Sequence, residues 1–341
     1  MRCIIPIVVV VTTAWLSFGC STPPTSRTQP TAAFEFVELI MASPARLTIC
    51  TDDETQARRA ARAAFDRMHR IERILSSWMT NSQSNRLVRA APEFIVIPEE
   101  LRGALARGSQ IHQESGGAFD LTAGPCIELW RDTRATGRLP DERSRLAARA
   151  RLGMEAIELK GPLARIARRG VTLNFGGIGK GIAVEAARVV LEEHGMDRFL
   201  IDFDGEIRVE RPPPDRPAWV IEVQGLADEP VLLIGTTMMS LSTSGDLNQF
   251  VEIDGTRYSH VIDPRTGLGV TTGRQVTVFT PDGSDLADAL ATTGGVLDGD
   301  SFRTLLEQHH PRASAVVLER IDEETTITMI GDPPVSIPEA P

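Results

Sequence analysis

Three observations on this 341-residue chain predict an α+β fold. Strand-like and helix-like runs are interleaved, yet no regular βαβ alternation recurs, which argues against a doubly wound parallel sheet. There are no internal repeats, and no interior apolar stretch reaches the roughly 20 residues a membrane helix needs. The apolar fraction of 42% is ordinary, so a full core is within reach of a single unit.

The N-terminus stands apart from that unit. Arg2 supplies a positive start, and Ile4 to Phe18 is almost wholly apolar and uncharged. Gly19-Cys20 and a Pro-, Ser- and Thr-rich stretch follow, the layout of a secretory signal. Residues 1–20 are therefore expected to be a lipoprotein-type signal peptide, 21–33 a flexible linker, and 34–341 one domain. Gly before Cys points to lipidation at Cys20, although Ser17 stands where such sites usually carry Leu. Cleavage and release is the other reading. Either way the chain is exported.

Folding is expected to start near Phe34. Phe34–Ile40 and Arg46–Cys50 read as strands joined by a turn at Pro44. From Glu54 to Ser77, Ala57, Ala61, Phe65, Met68, Ile71 and Leu75 recur in steps of three and four, which marks an amphipathic helix. A second helix is predicted from about Pro98 to Glu114, and residues 131–150 read as an exposed excursion. Short strands near 156–160 and 164–167 lead to an extended run, Val171–Phe175. A glycine-rich turn and a helix carrying Ile182, Ala186 and Val189 follow. Phe199–Phe203, Trp219–Val223, Val231–Ile234, Phe250–Ile253 and Val276–Thr280 are further strands. Asp285–Val296 is a helix with Ser284 as its N-cap.

The net charge of −10 argues against nucleic acid as the partner, since phosphate contacts need clustered Lys and Arg. Cys50 and Cys126 are the only cysteines of the mature body. Two cysteines form neither a disulfide framework nor a zinc site; buried thiols are expected, with one bridge between them left open.

Four segments carry chemistry. Asn174-Phe-Gly-Gly-Ile-Gly-Lys-Gly181 lies between a strand and a helix. Bare N–H groups at a helix start suit phosphate, and Lys180 adds a point charge. The spacing fits neither a P-loop nor the dinucleotide fingerprint. Ser115-Gly-Gly-Ala-Phe-Asp-Leu-Thr-Ala-Gly-Pro125 places Asp120 where a carboxylate needs a partner or a ligand. His260 and Asp263 stand together in Tyr258-Ser-His-Val-Ile-Asp-Pro-Arg-Thr-Gly267. Asp288 and Thr292, four residues apart, share one face of their predicted helix. A carboxylate and a hydroxyl there suit a hard cation such as magnesium. Each segment also has a plain structural reading as a turn, a cap or a solvated face.

Together and in this order, the segments resemble the ApbE family, the FAD:protein FMN transferases. The resemblance runs from Met41-Ala-Ser-Pro-Ala-Arg-Leu-Thr-Ile49 through Leu75-Ser-Ser-Trp78, Gly117–Pro125, Asn174–Gly181, Ser244-Gly245 and Ser259–Gly267 to Ala287–Thr292. It implies FAD contacts from Met41, Trp78, Ala118, Phe119, Asp120, Asn174, Lys180 and Ile262. It implies Mg²⁺ held by the Gly177 carbonyl and the Asp288 and Thr292 side chains. Trp78 offers a flat face to a flavin ring. The implied reaction moves FMN from FAD to a Thr or Ser hydroxyl of an acceptor flavoprotein and releases AMP. His260 is the candidate base, because an imidazole titrates near working pH, and Asp263 or Asp120 would orient it or the metal. The acceptor would be an exported electron-transfer subunit at the membrane, where a lipid anchor at Cys20 would hold the enzyme facing the periplasm. The same residues also allow Mg-dependent hydrolysis of FAD to FMN and AMP, or FAD binding without turnover.

Several positions depart from the family pattern. Asn174 replaces Asp, Gly179 replaces Ala, Glu185 replaces Asp, and Gly269 replaces a common Pro. Asp202-Phe-Asp-Gly-Glu206 stands for an Asn-x-Gly-Gly-Asp/Glu stretch.

Overall fold

The computed structural model describes residues 32–225, 230–245, 250–321 and 324–336. The signal predicted at 1–20 and all but the last two residues of the linker lie outside the described residues. Among those described, no helix is long and apolar enough to cross a membrane.

The chain opens with β1 (Ala32–Ile40) and β2 (Ser43–Thr51), paired antiparallel. Their turn is Met41-Ala42, both with positive φ (49° and 62°), and not Pro44, which lies inside β2. Two left-handed residues match the twist of a tight hairpin, and here non-glycine residues adopt them at a cost of about 1–2 kcal/mol each. The Met41 N–H donates to Glu72 Oε1 (3.0 Å), which pins the turn to the first helix. That helix is α1 (Glu54–Leu75), capped by Asp53 accepting from the Gln56 N–H (2.9 Å). α2 (Gln83–Ala90), β3 (Ile95–Val96) and α3 (Glu99–Glu114) follow. The stretch predicted as an excursion is partly helical: α4 (Gly124–Thr136) ends at Gly137 in the left-handed region, and α5 (Glu142–Arg149) is capped by Asp141. Their many charged residues are solvent-facing, but good helix formers between Gly and Asp stops give them regular backbone.

β4 (Ile157–Lys160) and β5 (Leu163–Ile166) form a small sheet with β3. Residues 171–175 form no regular secondary structure and join no ladder. Then come α6 (Gly179–Glu193), β6 (Phe199–Phe203), β7 (Glu206–Val209), β8 (Trp219–Gln224), β9 (Pro230–Thr236) and β10 (Met239–Gly245). Two hairpins, β11 (Phe250–Ile253) with β12 (Thr256–Ser259) and β13 (Ile262–Asp263) with β14 (Leu268–Gly269), precede β15 (Arg274–Thr280). α7 (Ser284–Val296), α8 (Gly299–His309), β16 (Ser314–Ile321), β17 (Glu324–Ile330) and β18 (Val335–Ser336) complete the described chain. Ser284 is the first helical residue of α7 and not its cap, which falls on Gly283; the Ser284 hydroxyl bonds Ser240 Oγ (2.9 Å) instead.

The main sheet has eight antiparallel strands in the order β1-β2-β6-β7-β10-β15-β16-β17. Period-two alternation sends Leu47, Ile49, Phe199, Ile201, Phe203, Val276 and Val278 to one face, against α1, α6 and α7. It sends Leu200, Val209, Phe279, Val316 and Leu318 to the other, where Trp219, Ile221, Val223 and Ile234 cover them. β15 is buried along its whole length because both layers cover it. The result is a single α+β domain, as predicted. Cys50 and Cys126 are free and buried, so the bridge left open between them is absent, and burial pushes both thiols up to about 11.

Candidate functional site

α7 runs through the middle of the domain and is buried on nearly all sides. It packs against both α6 and the sheet. Small residues allow that approach. A methyl group on Gly181 would sit 2.3 Å from the Ser284 carbonyl oxygen and 2.7 Å from Asp288 Cβ, so the start of α6 lies directly on α7. We expect Gly181→Ala to destabilise the protein by about 1–3 kcal/mol, because neither backbone nor helix can yield locally. Gly103→Ala, in open space on α3, should instead stabilise by up to about 1 kcal/mol through helix propensity. Denaturant midpoints for the two variants check both signs.

At this crossing opens a cleft of about 1090 Å³. Met41, Trp78, Ala118, Phe119 and Asp120 line it on one side, and Asn174, Gly177 and Lys180 on another. His260 comes from the β12–β13 connection, Ile262 from β13, and Asp288 and Thr292 from α7. Twelve of the thirteen residues singled out from the sequence thus meet in one concavity. The thirteenth, Asp263, does not line it. Its carboxylate accepts from the Arg265 N–H (2.8 Å), Nε (2.9 Å) and Nη2 (3.0 Å), so it builds the Pro-Arg-Thr-Gly turn that presents His260 and Ile262.

The phosphate-suited end is made by α6. Its cap residue Ile178 makes no side-chain cap; the Gly179 N–H donates to the Phe175 carbonyl (2.7 Å) and the Gly181 N–H to Asp288 Oδ2 (2.8 Å), and the positive end of the helix favours an anion. Asn174 Oδ1 accepts from the Gly176 N–H (2.8 Å), so the amide that replaces the family's carboxylate still shapes the turn. The Lys180 ammonium donates to the Asp204 carbonyl (2.8 Å) and stands 3.7 Å from the Asp204 carboxylate and 3.8 Å from that of Glu206. Burial disfavours its charge, but Glu206, Asp288, Asp204 and Asp202 outweigh that and hold it above the usual lysine range. These acidic neighbours on the β6–β7 hairpin were missed as site residues. Their signal was the alternation Asp202, Asp204, Glu206, noted in the sequence only as a departure.

Asp288 is buried, and its Oδ2 accepts from the Gly181 N–H (2.8 Å). Burial pushes its carboxyl up to about 6, against the pull of Lys180 and of that N–H. Glu206, fully enclosed and facing Asp288, is pushed well above its ordinary value, again by burial first. One ammonium among these carboxylates leaves a local excess of negative charge, which a cation would offset. The donor set fits magnesium. A Cβ placed on Gly177 would lie 2.9 Å from Thr292 Oγ1, so the glycine backbone closes onto the hydroxyl one turn from Asp288. Among the described residues no group of three or more His, Cys, Asp or Glu is placed to hold a metal. A cation here would therefore take one carboxylate with neutral oxygens, as magnesium does when phosphate and water fill its shell.

At the other end Trp78 is 73% exposed, and the Arg131 guanidinium lies 4.0 Å from its ring centroid. Asp120 is tied down by the Thr122 N–H and hydroxyl (2.6 Å each), and His112 Nδ1 lies 3.6 Å from its other oxygen. Burial still raises its carboxyl above the ordinary range. Gly269, the position where the family commonly has Pro, is explained by its neighbours: a Cβ there would lie 2.6 Å from the Trp130 ring and 2.4 Å from the Ser259 carbonyl.

An aromatic rim, a glycine turn at a helix start, a lysine and a set of hard oxygen donors together define a nucleotide-handling site on an antiparallel α+β scaffold. The chain belongs to the ApbE family, whose pattern it matches over residues 41–317. It is similar to the FAD:protein FMN transferase of Treponema pallidum, 26% identical over 317 residues, covering 83% of this chain and 87% of that protein. The Vibrio cholerae enzyme of the same name is 28% identical over 247 residues, covering 70% and 71%. In three dimensions it resembles the apo flavinyl transferase ApbE of Pseudomonas stutzeri, with a TM-score of 0.79 at 26% identity over 89% of this chain and 96% of that one.

Proposed function

We propose that this protein transfers FMN from FAD to a Thr or Ser hydroxyl of an acceptor protein, with Mg²⁺ and with release of AMP. One observation carries the proposal. Seven sequence-distant segments, each matching part of the family pattern, converge on one cleft with a ring-binding rim and a phosphate-suited floor. The relatives named as FAD:protein FMN transferases support it.

In this scheme the acceptor oxygen bonds to the FMN-side phosphorus, the pyrophosphate bond to AMP breaks, and the hydroxyl proton goes to a base. The α6 N-terminus and Lys180 hold the pyrophosphate in line. Trp78 and Phe119 take the ring. His260, on the cleft wall, accepts the proton. Asp288, Thr292 and the Gly177 carbonyl would hold Mg²⁺, which offsets charge on the phosphates and the leaving AMP. The enzyme is exported and anchored through Cys20, and its acceptor is an exported electron-transfer subunit at the same membrane.

The test is to incubate the purified protein with FAD, Mg²⁺ and a candidate acceptor domain, following AMP by chromatography and protein-bound flavin on a denaturing gel. Equal yields of AMP and protein-bound flavin are expected. AMP with free FMN only would identify a hydrolase, and FAD binding without AMP a carrier. Mass spectrometry of the mature N-terminus, with Cys20→Ser beside it, tests the anchor.

A further inference from the structure

Two hairpin turns meet on the cleft wall. One is Met41-Ala42, between β1 and β2, and the other is Asp204-Gly205, between β6 and β7. β2 and β6 are neighbours in the main sheet and their pairing starts at Ala45 opposite Phe203, so the two turns leave the sheet side by side. All four turn residues line the cleft.

One side chain joins the turns. The Ser43 hydroxyl donates to Asp204 Oδ2 (2.8 Å). The same oxygen stands 3.7 Å from Lys180 Nζ, and the Lys180 ammonium donates to the Asp204 carbonyl (2.8 Å). Asp204 therefore holds Lys180 with its backbone and the Met41 turn with its side chain. From the far side, Glu72 Oε1 accepts from the Met41 N–H (3.0 Å). The conformation is costly. Among the described residues five non-glycine positions have positive φ, and three of them, Met41 (49°), Ala42 (62°) and Asp204 (54°), lie in these two turns. Glycine adopts this φ freely, and Asp204 takes the place of the first glycine in the family's Asn-x-Gly-Gly stretch. What aspartate adds is the bond to Ser43. Its charge adds little, because the carboxylate is 53% exposed and so screened, whereas Glu206 at 3.8 Å from Lys180 is 4% exposed and is the stronger counter-ion.

We propose that Asp204 is a positioning residue, a latch that ties the Lys180 ammonium to the Met41 turn and fixes their spacing before FAD arrives. This rests on the reading of the cleft as an FAD site. Without the latch the two contacts must be ordered during binding, which weakens affinity. Bound FAD re-seats Lys180 through its pyrophosphate, so the loss falls on binding and not on the rate at saturation.

The experiment compares the purified protein with Ser43→Ala, Asp204→Gly, the double variant and Asp204→Asn. FAD affinity is read by flavin fluorescence quenching, independently of turnover, and KM and kcat by AMP release. Ser43→Ala and Asp204→Gly should each weaken FAD binding roughly threefold to tenfold, the range for one hydrogen bond. KM for FAD should rise in parallel, with kcat within about twofold of wild type. The double variant should bind no more weakly than either single one, because all three break the same bond. Asp204→Asn should keep wild-type affinity, since an amide oxygen accepts from Ser43 and asparagine tolerates the left-handed region. Unchanged FAD affinity in Ser43→Ala, whatever its thermal midpoint, would make the bond structural only and overturn the latch. Penalties that add in the double variant, or an Asp204→Asn protein as weak as Asp204→Gly, would overturn it as well. The expected affinities without any AMP release would leave the latch in place and remove the transferase function.

Discussion

Asp288→Asn is expected to abolish magnesium-supported turnover while leaving the fold intact or slightly more stable. The carboxylate is the one charged donor of the proposed cation site, and a bound cation supplies several kcal/mol of charge stabilisation, so the loss should be on the order of 10²-fold or more. Stability should move the other way. Asp288 is buried with its carboxyl pushed up to about 6, which means the charged form is strained by its surroundings. A neutral amide of the same size can still accept from the Gly181 N–H and relieves that strain and the repulsion with Glu206. Thr292→Val, which removes a neutral donor, should weaken the magnesium response less. AMP release across a magnesium titration and thermal midpoints without metal give the two readouts. A fully magnesium-dependent Asp288→Asn enzyme would place the cation elsewhere.

His260→Ala should slow FMN transfer on the order of 10²–10⁴-fold while changing FAD affinity little. The ring contacts at Trp78 and Phe119 and the donors at α6 remain in place, and the Asp263–Arg265 turn that carries the loop does not depend on the imidazole. Transfer rate is followed by covalent flavin yield over a pH series and affinity by flavin fluorescence quenching. The wild-type rise of rate with pH should flatten in the variant. Asp263→Asn gives the contrast. It loosens the turn by weakening the pairing with Arg265, so it should lower the yield without erasing the pH dependence. An unchanged rate in His260→Ala would leave Asp120, also on the cleft wall, as the candidate base.

Periodicity made the long amphipathic helix legible because α1 buries one stripe and its apolar residues must recur in steps of three and four. It made β6 legible because a short run that is apolar but for Asp202 fits a strand covered on both faces. Residues 131–150 are exposed as expected, but the helices within them were not read, because an exposed helix carries no apolar stripe to read. The hairpin turn was displaced to Pro44 because proline is the loudest local signal, whereas Met41 and Ala42 have no preference for the left-handed region. Their conformation is imposed by the ladder on either side and by Glu72.

The sequence by itself determined the family, the α+β class and twelve of the residues that meet in the cleft, because groups that must contact a ligand leave little latitude in residue type and local spacing. It did not determine which of those groups share an environment. That Asp263 builds a turn while Asp288 faces the cleft depends on how loops and helices pack, and two Asp residues look alike until their partners are known. The raised carboxyls of Asp288 and Glu206 and the held charge on Lys180 exist only because α6, α7 and the β6–β7 hairpin, distant in sequence, exclude water from one small volume. Charge and exposure belong to surfaces, and surfaces are assembled from segments that the chain alone does not bring together.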